Sequence, residues 1–312
     1  MKKILTFILL VAIAISASAK PKKGANDELN LRIGTYNVWS HSARKYVIKK
    51  YPQIEPRNWD ASKKAVAELI VKLDCDLLGM HEVTSVCRDD LAELVKKSGG
   101  KKYALWWENT YPEGEKNIVG NAIFYNKKKF SLSKQNIYYM SPTPTEPSKG
   151  WDEKRHYRAA LATVVTHKKT GKKFFFMATH GPLKKEANGH AGRILVEIDQ
   201  QYNPENLPTI VVGDMNARPG ETFHQNMLKH YEDAFLVAEK KCGTIGTFNS
   251  SSGTDKNFAL SHRRIDQIYV HSTENGKITV KEYTVNRDKY PISGSQYYPS
   301  DHCPVYVDVT IK

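Results

Sequence analysis

Apolar positions recur along this chain in two periods, and the switches between them mark out the elements. Leu31-Arg32-Ile33-Gly34-Thr35-Tyr36-Asn37-Val38 alternates apolar and polar residues, which predicts a half-buried strand with Asn37 near its end. From Trp59 to Leu73 the spacing becomes helical: Ala65, Val66, Leu69, Ile70 and Leu73 share a face, and Asn58 or Asp60 can cap it. Asp76 to Met80 predicts a strand that delivers His81-Glu82-Val83, and Asp89 to Lys97 a second helix stopped by Gly99-Gly100. After Tyr103 the texture is short strands and turns, at Tyr103–Trp107, Asn121–Tyr125, Ile137–Tyr139, Ala159–Thr166 and Lys173–Thr179, the last ending in His180. Gly189 to Tyr202 reads as helix. The β-branched run from Thr209, bounded by Pro208 and Gly213, reads as a buried strand ending in Asp214-Met215-Asn216, whose i and i+2 side chains project from one face. Two further strands start after Arg264-Ile265-Asp266 and Ser300-Asp301-His302. The stretch from Ser141 to Pro147 is a Pro-rich loop, and no repeat of fixed period is evident.

The N-terminus changes the picture of where the chain works. Met1-Lys2-Lys3, an apolar run from Ile4 to Ile15 and the small residues Ser16-Ala17-Ser18-Ala19 make a secretory signal peptide, residues 1–19, with cleavage expected after Ala19. That run is too short to span a bilayer, which takes about 20 residues. A polar, flexible leader is expected over residues 20–29 and one folded domain over 30–312, giving an exported, periplasmic or secreted, mature chain. Losing Lys2 and Lys3 takes the formal charge from +14 to about +12. The excess is lysine, in short groups such as Lys127-Lys128-Lys129, Lys168-Lys169, Lys172-Lys173 and Lys184-Lys185, which read first as solvated turns and second as attraction to polyanions. Cys75, Cys87, Cys242 and Cys303 lack the spacing of a zinc site. An oxidising space permits a Cys75–Cys87 bridge, with buried free thiols as the alternative.

Six polar positions share one logic. Asn37, Glu82, His180 and the Asp214/Asn216 pair follow the C-terminal ends of strands, whereas Asp266 and Asp301-His302 precede the starts of strands. If the last two strands run antiparallel to the others, all of them gather at one end of the β core, where loops on a rigid scaffold carry function. Carboxylate and amide oxygens without Cys suit a hard cation, and two histidines offer proton transfer near neutral pH. No Ser or Cys stands in a nucleophile context, so water is the expected attacker. The set fits metal-assisted hydrolysis of a phosphate ester; a glycosidase would leave the His and Asn residues idle.

In order, Tyr36-Asn37-Val38, His81-Glu82-Val83, Thr179-His180, Gly213-Asp214-Met215-Asn216, Arg264-Ile265-Asp266 and Ser300-Asp301-His302 resemble the endonuclease/exonuclease/phosphatase (DNase I-like) superfamily. The match runs from about Leu31 to the C-terminus. The resemblance implies an α/β (α+β) four-layer sandwich, two mostly antiparallel sheets face to face with helices outside. It implies Glu82 as principal metal ligand with Asn37 beside it, Asp301 as a further metal or supporting carboxylate, and Mg²⁺ (or Mn²⁺/Ca²⁺) as cofactor. Asp214 would activate water, Asn216 and Asn37 would hold phosphoryl oxygens, and Asp266 would fix the tautomer of the catalytic His302. His180 would bind phosphate or protonate the leaving oxygen, and Arg158 would lie near the phosphate. Three positions depart from the family pattern: His81 replaces a common Gln, Gly181-Pro182-Leu183 replaces a common Leu-Asp, and Gln267 replaces a frequent aromatic.

The expected function is a metal-dependent phosphodiesterase, nuclease-like, acting as a monomer on a phosphate ester such as nucleic acid. A phospholipid or sphingomyelin phosphodiesterase, a sugar or inositol phosphatase and a non-catalytic phosphate-binding module are the alternatives. Membrane association is not indicated: Trp106-Trp107 and Tyr297-Tyr298 are expected to pack against the sheets.

Overall fold

Several of the apolar runs are continuous rather than alternating because the strands that contain them are covered on both faces. The computed structural model describes residues 28–115, 119–203, 205–249 and 263–312. The signal peptide and the leader up to residue 27 lie outside the described residues; Leu29, expected at the end of the leader, opens the first strand. The N-terminal part runs β1 (Leu29–Asn37), α1 (His41–Lys50), a 3₁₀ turn, α2 (Trp59–Leu73), β2 (Leu77–Thr84), α3 (Ser85–Lys97), β3 (Tyr103–Asn109) and β4 (Val119–Asn126). The middle comprises β5 (Phe130–Tyr139), β6 (Ala159–His167), β7 (Lys173–His180), α4 (Lys185–Tyr202) and β8 (Thr209–Asp214). Short elements follow: α5 (Thr222–Met227), β9 (Glu232–Asp233), α6 (Ala234–Val237) and β10 (Lys240–Cys242). The chain closes with β11 (Asp266–His271), β12 (Ile278–Val285), the hairpin β13 (Tyr290–Ile292) and β14 (Ser295–Tyr297), and β15 (Val305–Ile311).

The strands form a seven-stranded sheet, β10-β12-β15-β1-β2-β4-β3, and a six-stranded sheet, β5-β6-β7-β8-β11-β9. Alternate residues of β7 show the layering. Phe174, Phe176 and Ala178 face a core between the sheets with Ile33, Leu77, Val212 and Val307. Phe175 and Met177 face outward onto Ile194, Leu195 and Ile198 of α4. On the other sheet Tyr36, Leu78 and Phe124 meet Val66, Leu69, Ile70 and Leu91 of α2 and α3. Each of these large side chains contributes about 1.5–3 kcal/mol on burial. At Gly213 a Cβ would run into the Thr179 carbonyl of the neighbouring strand, so glycine is required where β8 nears its functional end.

The sheets are mixed, and the parallel pairs matter. β1 lies parallel to β2, with Asn37 opposite His81, and β7 lies parallel to β8, with His180 opposite Asp214. β11 and β15 run antiparallel to β8 and β1, so Asp266 pairs with Asp214 and His302 enters at the same end. Two helices start earlier than their sequence pattern predicted. α3 begins at Ser85 because the Thr84 hydroxyl caps it, accepting from Cys87 N at 3.2 Å, and α4 begins at Lys185. Cys75 and Cys87 are both buried as free thiols and no bridge joins them. Among the described residues no helix is long and apolar enough to cross a membrane.

The approach to β11 is held by a buried charge pair. Arg264 donates to both oxygens of Asp233, at 3.0 and 2.6 Å, and His224 Nε2 donates to Asp233 at 3.0 Å while its Nδ1 accepts from Gly220 N. Replacing one partner strands the other without water. Arg264→Met should therefore lower the unfolding free energy by about 3–5 kcal/mol in urea denaturation. The double variant Arg264→Met/Asp233→Asn should lose less than the sum of the two single changes.

Candidate active site

The side chains at the shared end of the sheets converge on one oxygen. Asp214 Oδ2, buried at the end of β8, accepts from Asn37 Nδ2 at 2.9 Å and lies 3.4 Å from His180 Nε2 and 3.7 Å from His302 Nε2. The other oxygen, Oδ1, accepts from Asn216 N at 3.0 Å. Behind His302, its Nδ1 donates to Asp266 Oδ2 at 2.8 Å, and the Thr247 hydroxyl donates to the same Oδ2 at 2.6 Å. With Nδ1 carrying that proton, Nε2 is the ring atom turned to Asp214.

Glu82 reaches this end by a local irregularity. The sequence pattern predicts it just past a strand; it sits inside β2, where pairing with β4 slips between Met80 and Val83, and its φ is +59°. The bulge turns the carboxylate out of the ladder, half-buried, onto Asn37 Nδ2 (3.2 Å), Ser40 N (3.2 Å) and Ser40 Oγ (3.3 Å). Asn37 is oriented by Trp39 N, which donates to its Oδ1 at 2.9 Å. Its amide NH₂ therefore points at the two carboxylates, a donor position rather than that of an oxygen ligand. Asn216, at φ +48°, gives one N–H to the Gly181 carbonyl at 3.1 Å, leaving the other for a phosphoryl oxygen.

Charge is crowded here. Burial, with Asp266 nearby, pushes the Asp214 carboxyl up to about 6 against the opposing pull of His302. Burial and the field of Glu82 raise Asp301 as well. Burial would push His302 down, but the carboxylates of Asp266 and Asp214 hold it well above the ordinary imidazole range. His180 is held well below that range by burial and by the Arg158 charge, so it is neutral. Arg158 lies within the fields of Glu82 and Asp214, and its Nε is buried without a hydrogen-bond partner, a donor available to an anion. His81 replaces the family's Gln as a neutral buried ring: Nδ1 meets Asn121 Oδ1 at 3.4 Å, Nε2 meets Thr35 Oγ1 at 2.9 Å, and burial pushes it down to about 4.

All the residues singled out in the sequence are thus placed at or beside this end, with Asp301 held by a Ser300 hydroxyl at 3.3 Å. Sequence reading passed over Ser40, Thr247 and Trp39. Hydroxyls are common in loops, and nothing in the pattern from Gly243 to Asn249 marks Thr247 as the support of Asp266.

A buried His–Asp pair turned toward a second carboxylate, at one end of two packed sheets, fits the hydrolysis of phosphate esters. The model of the endonuclease/exonuclease/phosphatase family matches residues 34–302, and the chain belongs to that family. Among solved structures, an endonuclease/exonuclease/phosphatase family protein from Bacteroides thetaiotaomicron superposes with TM-score 0.78 at 24% identity, covering 92% of this chain and 96% of the other. The mannosyl-6-phosphatase of B. thetaiotaomicron VPI-5482 gives 0.76 at 24% identity, covering 89% and 99%. D. rerio TDP2 complexed with a single-strand DNA product gives 0.62 at 16% identity, covering 90% and 98%. No curated protein matches the sequence.

The raised Asp214 carboxyl makes a stability prediction. Its pKa is higher in the folded chain than in the unfolded one, so the folded state holds that proton more tightly; stability is greatest below about pH 4 and is lost as pH rises through about 6. In metal-free buffer, Asp214→Asn should melt at a higher temperature than the parent at pH 8, by the equivalent of about 2–3 kcal/mol, and the gain should vanish near pH 4. Equal melting at pH 8 would remove the charge-crowding account.

Proposed function

We propose that the chain hydrolyses phosphate esters with a divalent cation and an activated water, its phosphate lying between Glu82 on one sheet and Arg158, His180 and Asp214 on the other. The observation that carries this reading is the convergence of Asn37, His180 and His302 on Asp214 Oδ2. Asp214 accepts the proton of the attacking water, and a carboxyl near 6 is a suitable base close to neutrality. His302 stays cationic through its Nδ1 bond to Asp266 and sets that charge against the phosphoryl oxygens. Asn216 and the Arg158 Nε supply uncommitted donors that orient the anion, and Asn37 holds the Glu82 and Asp214 carboxylates beside it. His180, neutral, contributes a hydrogen bond and no charge.

The residues fit a hard cation. The donors are oxygens, and burial, with neighbouring carboxylates adding to it, raises Asp214 and Asp301, so a bound cation would favour their ionised forms. Glu82 and Asp301 would hold Mg²⁺, Mn²⁺ or Ca²⁺, which when bound neutralises charge developing on the phosphate. Asp214, Asp266 and His302 also lie close enough to share an ion. Their 2.8 Å hydrogen bond makes two of them a proton-holding pair instead.

For substrate, a small phosphate ester is the first reading, because the cations of the described loops at this end are interleaved with acids. Likeness to a mannosyl-6-phosphatase agrees with it. Nuclease-like diester cleavage is the second, favoured by the fold shared with TDP2, whose structure holds a DNA product. Export after cleavage near Ala19 and action as a monomer complete the proposal, the former resting on the Met1–Ala19 pattern.

The test compares an aryl phosphomonoester, an aryl phosphodiester and plasmid DNA, with Mg²⁺ or EDTA. EDTA should abolish turnover, and His302→Ala should lower kcat by about 10²–10⁴-fold at unchanged fold. Unchanged hydrolysis by that variant would sink the mechanism; plasmid cleavage would promote the second substrate reading.

A further inference from the structure

Lysines dispersed in the sequence are gathered in space. Three loops meet at the end of the sandwich opposite the active site: the segment before β3, the β4–β5 turn and the β6–β7 turn. They are bonded into one rim, Lys127 N donating to Lys102 O at 3.0 Å and Lys168 N to Lys129 O at 2.8 Å. The Lys168 ammonium donates to Lys127 O at 2.6 Å. Four acids at this end are matched by other lysines, Asp74 by Lys102, Asp76 by Lys129, Glu205 by Lys173 and Glu28 by Lys312, and Glu274 accepts from Asn206 Nδ2 at 3.4 Å. Lys101, Lys127, Lys128, Lys168, Lys169 and Lys172, exposed or half-exposed, have no carboxylate partner among the described residues. Beside them a cavity of about 470 Å³ opens between Lys172, Lys173 and Lys312. The described loops around the active site mix Lys149, Lys154, Arg155, Lys184, Lys185 and Arg218 with Glu113, Glu115, Glu146, Asp152, Glu186 and Glu221.

We propose that this basic pole docks on an anionic phospholipid bilayer, holding the enzyme with its active site turned away from the membrane. Three observations choose the partner. The unpaired charges are lysines, point charges suited to a diffuse surface potential rather than to bidentate readout. The rings at these strand starts, Tyr103, Phe130 and Phe174, are buried, so no stacking platform for single-stranded nucleic acid is presented. The chain also enters the fold here, at Leu29, and Lys20, Lys22 and Lys23 precede that strand in the sequence. A substrate polyanion would call for an excess of such charge at the catalytic end, where the cations of the described loops are interleaved with acids.

The test is co-sedimentation of the full mature chain with vesicles of phosphatidylcholine alone or mixed with phosphatidylglycerol, at low and high salt. The protein should bind only the phosphatidylglycerol vesicles and dissociate as salt rises. Lys127→Gln/Lys128→Gln/Lys169→Gln should weaken that binding by about a hundredfold while leaving aryl phosphate hydrolysis unchanged. Lys45→Gln/Lys49→Gln/Lys50→Gln removes the same charge from α1 and should bind as the parent does. Equal loss in both variants would reduce the effect to net charge and overturn the proposal. So would failure of the parent to bind, or tighter binding to duplex DNA than to the vesicles.

Discussion

Everything at the catalytic end depends on keeping several carboxylates close together in a poorly hydrated space. Each is stabilised by a different device. Asp266 receives an imidazolium and a hydroxyl, Asp214 an amide and a backbone N–H, and Glu82 an amide, a hydroxyl and a backbone N–H. Behind them lies Arg44, fully buried, whose donors go to Trp39 O, Arg57 O, Ser62 Oγ, Val38 O and Pro299 O. Only a guanidinium has five N–H groups to distribute in this way. Burial pulls it down to about 10, still protonated near neutrality, so its positive charge remains beneath the acids. The same fork ties the loop after β1 to the loop before β15, the two loops that flank Asn37 and His302. Compensation of charge and positioning of the site are here one arrangement.

The backbone is bent away from its preferred regions at the same places. Trp39, Glu82 and Asn216 have φ of +54°, +59° and +48°, and none is glycine. Each stands beside or within the constellation: Trp39 turns the chain so that its N–H orients Asn37, Glu82 leaves the ladder at a bulge, and Asn216 closes back on Asp214. Such conformations cost about 1–3 kcal/mol each and persist where surrounding packing fixes them. The stable sandwich beneath, with helices covering both outer faces, holds these three turns in place.

The charge distribution separates two tasks that net charge alone would merge. A chain at +14 suggests attraction to polyanions without saying where. Folding gathers Lys101, Lys127, Lys128, Lys168, Lys169 and Lys172 at one pole and converges Asp214, Asp266, Glu82 and the two histidines at the other. The proposed chemistry and the proposed surface attraction thus belong to opposite ends of the same strands.

Much of this was legible in the linear order. Alternation and helical spacing located β1, α2 and the strand before Asp214. The rule that polar residues at strand ends share one face brought Asn37, Glu82, His180, Asp214, Asp266 and His302 into a single hypothesis. Those signals are local, and local physics determines them. What tertiary structure decided depends on contacts between distant segments. Parallel pairing of β1 with β2 and β7 with β8 set which ends coincide. The bulge at Glu82, the Thr247 hydroxyl under Asp266 and the amide orientation of Asn37 follow from packing that no spacing records. The lysine pole belongs to the same class, because residues 102, 127 and 168 become neighbours only when the sheets close. Sequence determined which chemistry the chain could carry; the fold decided which atoms face each other, since distance and burial are properties of the assembled sandwich alone.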